Sequence, residues 1–293
     1  MTEFPVHVQG LERRYGRKEV LRGVDLDVPA GSVVGLLGRN GEGKTTLLKC
    51  LLGLLRPGGG TARVLGRDPW DLDADTKARI GYVPQEVELY GWFSVEETLG
   101  YVGSFYPLWN HTFARDTARA WRLDLDARVK TLSRGQLQKL GILLALGHEP
   151  ELLVLDEPAA SLDPSARREF LATVIDHVAE LQQTVLFSTH ITSDVERIAD
   201  RVAVLKDGRI RLDEELDTLK TTMKRVRLIG RVDLPRDLSV DGALRVRVRG
   251  NEALVSLQHA DDALLRQLES TWNARAELHD LNLEDIFLEL HHD

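Results

Sequence analysis

Three short runs along the chain are apolar at nearly every position: VVGLL (Val33–Leu37), the LLVL of LLVLDEP (Leu152–Pro158) and the VLF of TVLFSTH (Thr184–His190). A strand apolar on both faces must be covered on both, so these runs predict buried strands of a parallel sheet with helices packed against it. Helices are predicted from Lys44 and after Pro164. Ahead of them, VHVQGLERRYGRKEVLRGVDLDVPAG alternates as antiparallel strands do, with turn signals at Gly16, Gly23 and Pro29–Gly31. IGYVPQE (Ile80–Glu86) predicts a short strand ending at a proline. From Ser94 to Gly147 the apolar spacing becomes helical, through VEETLGYVGSFY and GQLQKLGILLALG. VAVLKDGRIRL reads as a hairpin, because Asp207–Gly208 supplies the positive φ of a tight turn, and 214–223 reads as a closing helix.

Beyond Lys224 the texture changes. RVRLIG, ALRVRVRG and ALVSL alternate strictly, DDALLRQLES is helical in pattern, and LNLEDIFLELHH is a terminal helix with Asn282 as its N-cap. The chain therefore divides into a domain over 1–223, with a helical part over about 87–147, and a small α+β domain over 224–293. The arginines of the last strands (Arg225, Arg227, Arg245, Arg247, Arg249) alternate with apolar residues, which favours a solvated sheet face over a site for an anionic partner.

Composition narrows the function classes. With 293 residues, 43% hydrophobic and 29% charged, the chain has material for a sizeable core, and its net charge of −8 argues against a nucleic-acid partner. Cys50 is the single cysteine, so no internal disulfide can form, and a reducing compartment fits. The start MTEFPVHVQG lacks the basic and apolar regions of a signal peptide, and no window reaches the roughly 18 apolar residues of a membrane span. The expected location is cytoplasmic, with any membrane role exercised through a partner.

The chemistry concentrates at strand ends. GRNGEGKT (Gly38–Thr45) satisfies G-x-x-x-x-G-K-[ST] between a predicted strand and a predicted helix. Glycines let backbone N–H groups curl around phosphates, and the helix N-terminus adds its positive end. Lys44 would bridge the β- and γ-phosphates, and the Thr45 hydroxyl would ligate Mg²⁺. Asp156 and Glu157 end the second buried strand; the aspartate suits a Mg²⁺ shell, and the glutamate suits proton abstraction from water. Gln85 and His190 end two further strands and are residue types that coordinate metal, position water or touch a γ-phosphate. Three strand ends and the loop thus converge on one edge of a parallel sheet, where ligands bind. LSRGQ (Leu132–Gln136) opens a helix with serine and glycine, as either an ordinary N-cap or an anion-receptive end.

Taken in order, these stretches resemble the ATP-binding subunit of an ABC transporter, over about residues 4–223. GRNGEGKTT is similar to the Walker A loop, Gln85 to the Q-loop glutamine, LSRGQ to the family signature, LLVLDEP to Walker B, SLDP (Ser161–Pro164) to the D-loop and His190 to the switch histidine. Tyr15 stands where the family stacks an aromatic on adenine. The resemblance implies the P-loop NTPase fold of the ABC ATPases: a mixed-sheet core with an antiparallel β subdomain and an α-helical subdomain. It implies ATP and Mg²⁺ as cofactors, with Thr45, Gln85 and Asp156 around the metal. It implies hydrolysis with Glu157 as base and His190, Gln85 and Lys44 in support. Nucleotide contacts would come from Tyr15, Gly38, Arg39, Asn40, Gly41, Glu42, Gly43, Lys44, Thr45 and Thr46. A second ATP-binding subunit would add Ser133, Arg134, Gly135, Gln136 and Asp163 in trans, the pair closing head to tail beneath an integral membrane permease.

The C-terminal LEDIFLEL and FYPLWN (Phe105–Asn110) are similar to drug-, lipid- and peptide-export members. VELYGWF (Val87–Phe93) carries aromatics that either pack locally or cradle the permease. Two positions depart from the family pattern. Arg134 replaces a signature glycine, as export-type members tolerate, and Glu42 puts a carboxylate where a small residue is usual. A charge buried against triphosphate would be costly, so Glu42 is expected to point to solvent. The rival reading is a soluble ABC ATPase of translation, repair or regulation. Such proteins usually carry two cassettes, coiled-coil inserts or zinc-binding cysteines, and this chain has none of these.

Overall fold

The three apolar runs become neighbouring strands at the centre of one sheet. The computed structural model describes residues 3–160 and 162–291. In chain order its first part is β1 (Val6–Tyr15), β2 (Lys18–Val28), β3 (Val33–Leu37), α1 (Lys44–Leu51), β4 (Gly59–Val64), α2 (Ala74–Lys77), β5 (Ile80–Val83), α3 (Val95–Gly103), α4 (His111–Ala120) and α5 (Arg134–Leu146). There follow β6 (Leu152–Asp156), α6 (Pro164–Glu180), β7 (Thr184–Thr189), α7 (Thr192–Ile198), β8 (Arg201–Lys206) and β9 (Arg209–Glu215). The central sheet runs β5-β6-β7-β3-β8-β9, with parallel pairing from β5 to β8. Every residue of β3, β6 and β7 is buried, as their composition requires. Parallel pairing also brings the C-terminal ends of β3, β5, β6 and β7 to one edge of the sheet.

A second, antiparallel sheet has the order β2-β1-β4. Its inward residues Val6, Val8, Leu11, Leu21, Val24, Leu26 and Val28 join Leu47, Leu48 and Leu51 of α1 and Val34, Leu36, Val154 and Leu186 of the central sheet in one apolar cluster. Each such side chain contributes about 1.5–3 kcal/mol on burial, so α1 and the loop before it rest on a stiff base. Gly23 is not a turn: β2 runs through it at φ 86°, as an irregularity of a long hairpin. The helical part contains α3, α4 and α5. Capping boxes at Ser94 with Glu97 and at Ser133 with Gln136 fix the starts of α3 and α5.

The chain divides into two compact units between Asp213 and Glu214. Helix α8 (Leu216–Thr222) goes with the second unit, ten residues ahead of the sequence-based boundary. The second unit adds β10 (Lys224–Gly230), β11 (Ala243–Arg249), β12 (Glu252–Leu257), α9 (Asp262–Trp272), β13 (Ala274–Asp280) and α10 (Leu283–His291), with an antiparallel sheet ordered β11-β12-β10-β13. Val226, Leu228, Ala253, Val255 and Leu268 form the core under α9, and Asn282 caps α10 through Asp285 N–H at 2.7 Å. The arginine-bearing face is not simply solvated. Arg225 and Arg247 both donate to Glu289 of α10, itself 5% exposed, and Arg225 also reaches Asp285.

Candidate functional site

The loop between β3 and α1 holds its shape through glycine. Gly41 and Gly43 sit at φ 88° and 110°, in the left-handed region where a side chain is strained. Gly38 N–H donates to Thr189 O at 3.2 Å, tying the loop to the end of β7. Lys44, the first residue of α1, is 5% exposed, and its Nζ donates to Gly38 O at 2.7 Å and to Arg39 O at 3.3 Å. The ammonium also stands 3.1 Å from Glu157 Oε1. No donor is aligned on that oxygen, so the contact is Coulombic rather than a directed hydrogen bond.

Glu157 adopts φ 51°, unusual for a residue with a side chain and of a kind that collects at functional sites. It is held there because its N–H donates to Ser188 O at 3.2 Å and Ser188 Oγ at 3.0 Å. Its Oε2 lies 2.9 Å from His190 Nδ1. Ser188 Oγ donates to Asp156 Oδ1 at 2.6 Å, while Asp156 Oδ2 is buried without a hydrogen-bond partner. An unpaired buried carboxylate oxygen is costly, and a cation would complete it. Burial, and after it the nearby Asp156 carboxylate, pushes the half-buried Tyr82 hydroxyl up to about 12. The site therefore joins a buried ammonium, two carboxylates, an imidazole and an N-terminal helix end. That combination can hold a polyanion with a cation and take a proton from water.

A cavity of about 320 Å³ opens over this edge, lined by Val20, Asn40, Gly41, Gly43, Lys44, Thr45, Thr46, Gln85 and Glu157. Asp156 and His190 do not line it; they join through Ser188 and Glu157. Gly38 is buried beneath the loop, and the Arg39 carbonyl serves Lys44. Glu42 is half-buried and lies at an exposed part of the loop, where its Oε2 also accepts from Asp207 N–H at 2.6 Å. Tyr15 lies outside the cavity at the end of β1, 48% exposed, with the Arg13 guanidinium 5.1 Å from its ring centre.

The residues at the start of α5 also stand apart from the cavity. Ser133 Oγ accepts from Gln136 N–H at 3.3 Å, and Gln136 Oε1 accepts from Ser133 N–H at 2.9 Å. Arg134 lines a neighbouring groove of about 270 Å³ with Glu86, Glu88 and Gln138, and Gln85 borders both spaces. Asp163 is exposed, and Ser161 lies outside the described residues. Ser188 and Val20 are the additions that the sequence reading missed. The available signal for Ser188 was a hydroxyl placed directly after the apolar VLF run of a buried strand. Among the described residues no three His, Cys, Asp or Glu side chains form a metal cage. An aromatic band lies elsewhere on this unit: Trp92, Tyr90, Tyr101 and Phe105 follow one another at ring-centre distances of 5.0, 5.9 and 5.2 Å.

A family model described as ABC transporter matches residues 21–160. The chain is 34% identical to Nod factor export ATP-binding protein I of Ralstonia nicotianae, over 97% of this chain and 92% of that protein. It is 30% identical to the linearmycin resistance ATP-binding protein LnrL of Bacillus subtilis, over 97% of this chain and 89% of that one. The chain belongs to the ABC transporter family. It is an ABC transporter ATP-binding protein with export-type relatives. A solved ATP-binding subunit of an ABC transporter superposes with a TM-score of 0.65 and 30% identity, over 74% of this chain and 92% of that structure. ABC transporter membership accounts for the order of the strand-end motifs, and among the described residues no helix is long and apolar enough to cross a membrane.

Proposed function

We propose that this ABC protein is the ATP-hydrolysing motor of a membrane exporter. The observation that carries the reading is the chain Lys44–Glu157–His190, its first two members buried and the imidazole exposed, with Asp156 beside it, at the mouth of a glycine loop. In this reading the loop from Gly38 to Thr46 and the start of α1 hold the triphosphate of ATP, and Tyr15 stacks on adenine. Thr45, Gln85 and Asp156 would hold Mg²⁺, which when bound neutralises phosphate charge; the orphaned Asp156 Oδ2 and the Thr45 hydroxyl suit it. Phosphate competes with Glu157 for the Lys44 ammonium, so nucleotide binding frees the carboxylate. Glu157 then takes a proton from the water that attacks the γ-phosphorus, as the bond to the bridging oxygen breaks and ADP leaves. His190 orients Glu157 through the 2.9 Å contact, and Gln85 steadies the water and the ion.

Ser133, Arg134, Gly135, Gln136 and Asp163 have no place in their own chain's cavity, which supports a role across a head-to-tail dimer: each chain completes its partner's site. The aromatic band supports docking to a permease at the cytoplasmic face of the membrane. The relatives' names, Nod factor export and linearmycin resistance, support the export direction.

Glu157→Gln tests the reading. It should leave ATP binding intact, lower turnover by at least about 10²-fold as loss of a general base does, and trap an ATP-bound dimer visible by gel filtration. Turnover at the wild-type rate would refute Glu157 as the base.

A further inference from the structure

Glu42 is the departure in the glycine loop that the family pattern does not explain, and its side chain is engaged. Asp207, whose N–H it binds at 2.6 Å, and Gly208 form the β8–β9 turn, at φ 52° and 72°. The same turn is tied on its other side, where Gly208 O accepts from Arg22 N–H of β2 at 2.9 Å. The approach is close enough that a Cβ on Gly208 would stand 2.4 Å from Val20 O. A Cβ on Gly43 would stand 3.1 Å from the Val20 side chain, and Val20 itself lines the cavity. The loop, the turn and β2 therefore meet at one point, and Glu42 provides the side-chain link from loop to turn.

We infer that Glu42 is a positioning residue for ATP. By accepting from Asp207 N–H it fixes the crown of the Gly38–Thr45 loop against the β8–β9 turn and β2, so the phosphate side and the Val20 wall of the cavity form one frame. The inference rests on the reading of that loop as the ATP cradle. Two effects of opposite sign operate at position 42. The link orders a loop whose two left-handed glycines otherwise give it wide freedom, and an ordered loop binds at lower entropic cost. The carboxylate charge, in turn, repels triphosphate. The 2.6 Å charge-assisted bond directs that charge at the turn.

The two effects separate by substitution, because Glu42→Gln keeps an acceptor oxygen and drops the charge, whereas Glu42→Ala drops both. The test uses the full chain: equilibrium binding of Mg·ATP, steady-state turnover, and hydrogen exchange of the Asp207 amide. Glu42→Ala should raise Kd and KM about tenfold, the value of one hydrogen bond, with kcat within about twofold and faster exchange at Asp207. Glu42→Gln should bind ATP at least as well as the wild type, with the Asp207 amide protected. Equal Kd for the alanine and glutamine variants, or an unprotected Asp207 amide in the wild type, overturns the inference alone. A wild-type chain that binds no ATP overturns the nucleotide reading and the inference together.

Discussion

Ser188 shows how much of the site depends on a residue with no chemistry of its own to advertise. Its hydroxyl donates to Asp156 and accepts from Glu157 N–H, so one oxygen sets both carboxylates. The side chain is fully buried, and removing it strands Asp156 Oδ1, at about 1–3 kcal/mol, while Glu157 N–H keeps only the Ser188 carbonyl. Ser188→Ala should therefore lower the denaturation midpoint and reduce ATP turnover while leaving ATP affinity within about threefold, since the loop and Lys44 are untouched. Denaturant titration and steady-state kinetics check it, and full turnover would show that Glu157 keeps its place without the serine. Gln85, Asp156, Glu157 and His190 were legible because each ends a readable strand. Ser188 was not, because its importance comes from facing Asp156 across the β6–β7 pairing, which only the strand order reveals. The partner of Glu42 was hidden for the same reason: it lies 165 positions away. Cys50 is buried on α1, and that burial pushes its thiol up to about 11.

Among the elements, α10 and the arginine strands carry the clearest departure from pattern. Alternation tells which residues share a sheet face, but not what covers that face. Here Glu289, three positions after the buried Ile286 and so on the same side of the helix, meets Arg225 and Arg247, with Arg245 3.7 Å away. Burial would raise the Glu289 carboxyl, but the hydrogen bonds from Arg247 and Arg225 outweigh it and hold the group below its ordinary range. A depressed folded-state pKa stabilises above the unfolded value, and that contribution is lost as pH falls through the glutamate range toward the folded value. The second unit should thus lose stability below about pH 4.5. Glu289→Gln should cost about 1–2 kcal/mol at pH 7, discounted because the arginines are part-exposed. It should also flatten the acid limb. Urea titrations at pH 7 and pH 4 decide it: an equal loss at both would make the contact one of shape rather than charge.

Across the whole first unit, the presence of buried strands was readable from three apolar runs, whereas their order in the sheet and the surfaces around them were not. VELYGWF allowed two readings, local packing or a cradle, and the fold bears on both. Phe93 contacts Tyr90 and Tyr101, yet Trp92 is 65% exposed and Phe105 64% exposed at the two ends of the band. Rings left in water at that extent do little for the fold, so their removal should change stability by no more than about 0.5 kcal/mol. Aromatic anchors at an interface, by contrast, commonly contribute 2 kcal/mol or more, about thirtyfold in affinity. Trp92→Ala combined with Phe105→Ala should accordingly leave the melting temperature nearly unchanged and, with the permease proposed as partner, sharply reduce co-purification from detergent extracts. A double variant that stays fully associated would assign the band to solvent and move the docking surface elsewhere on the cassette. A collapsed melting temperature would return the band to local packing.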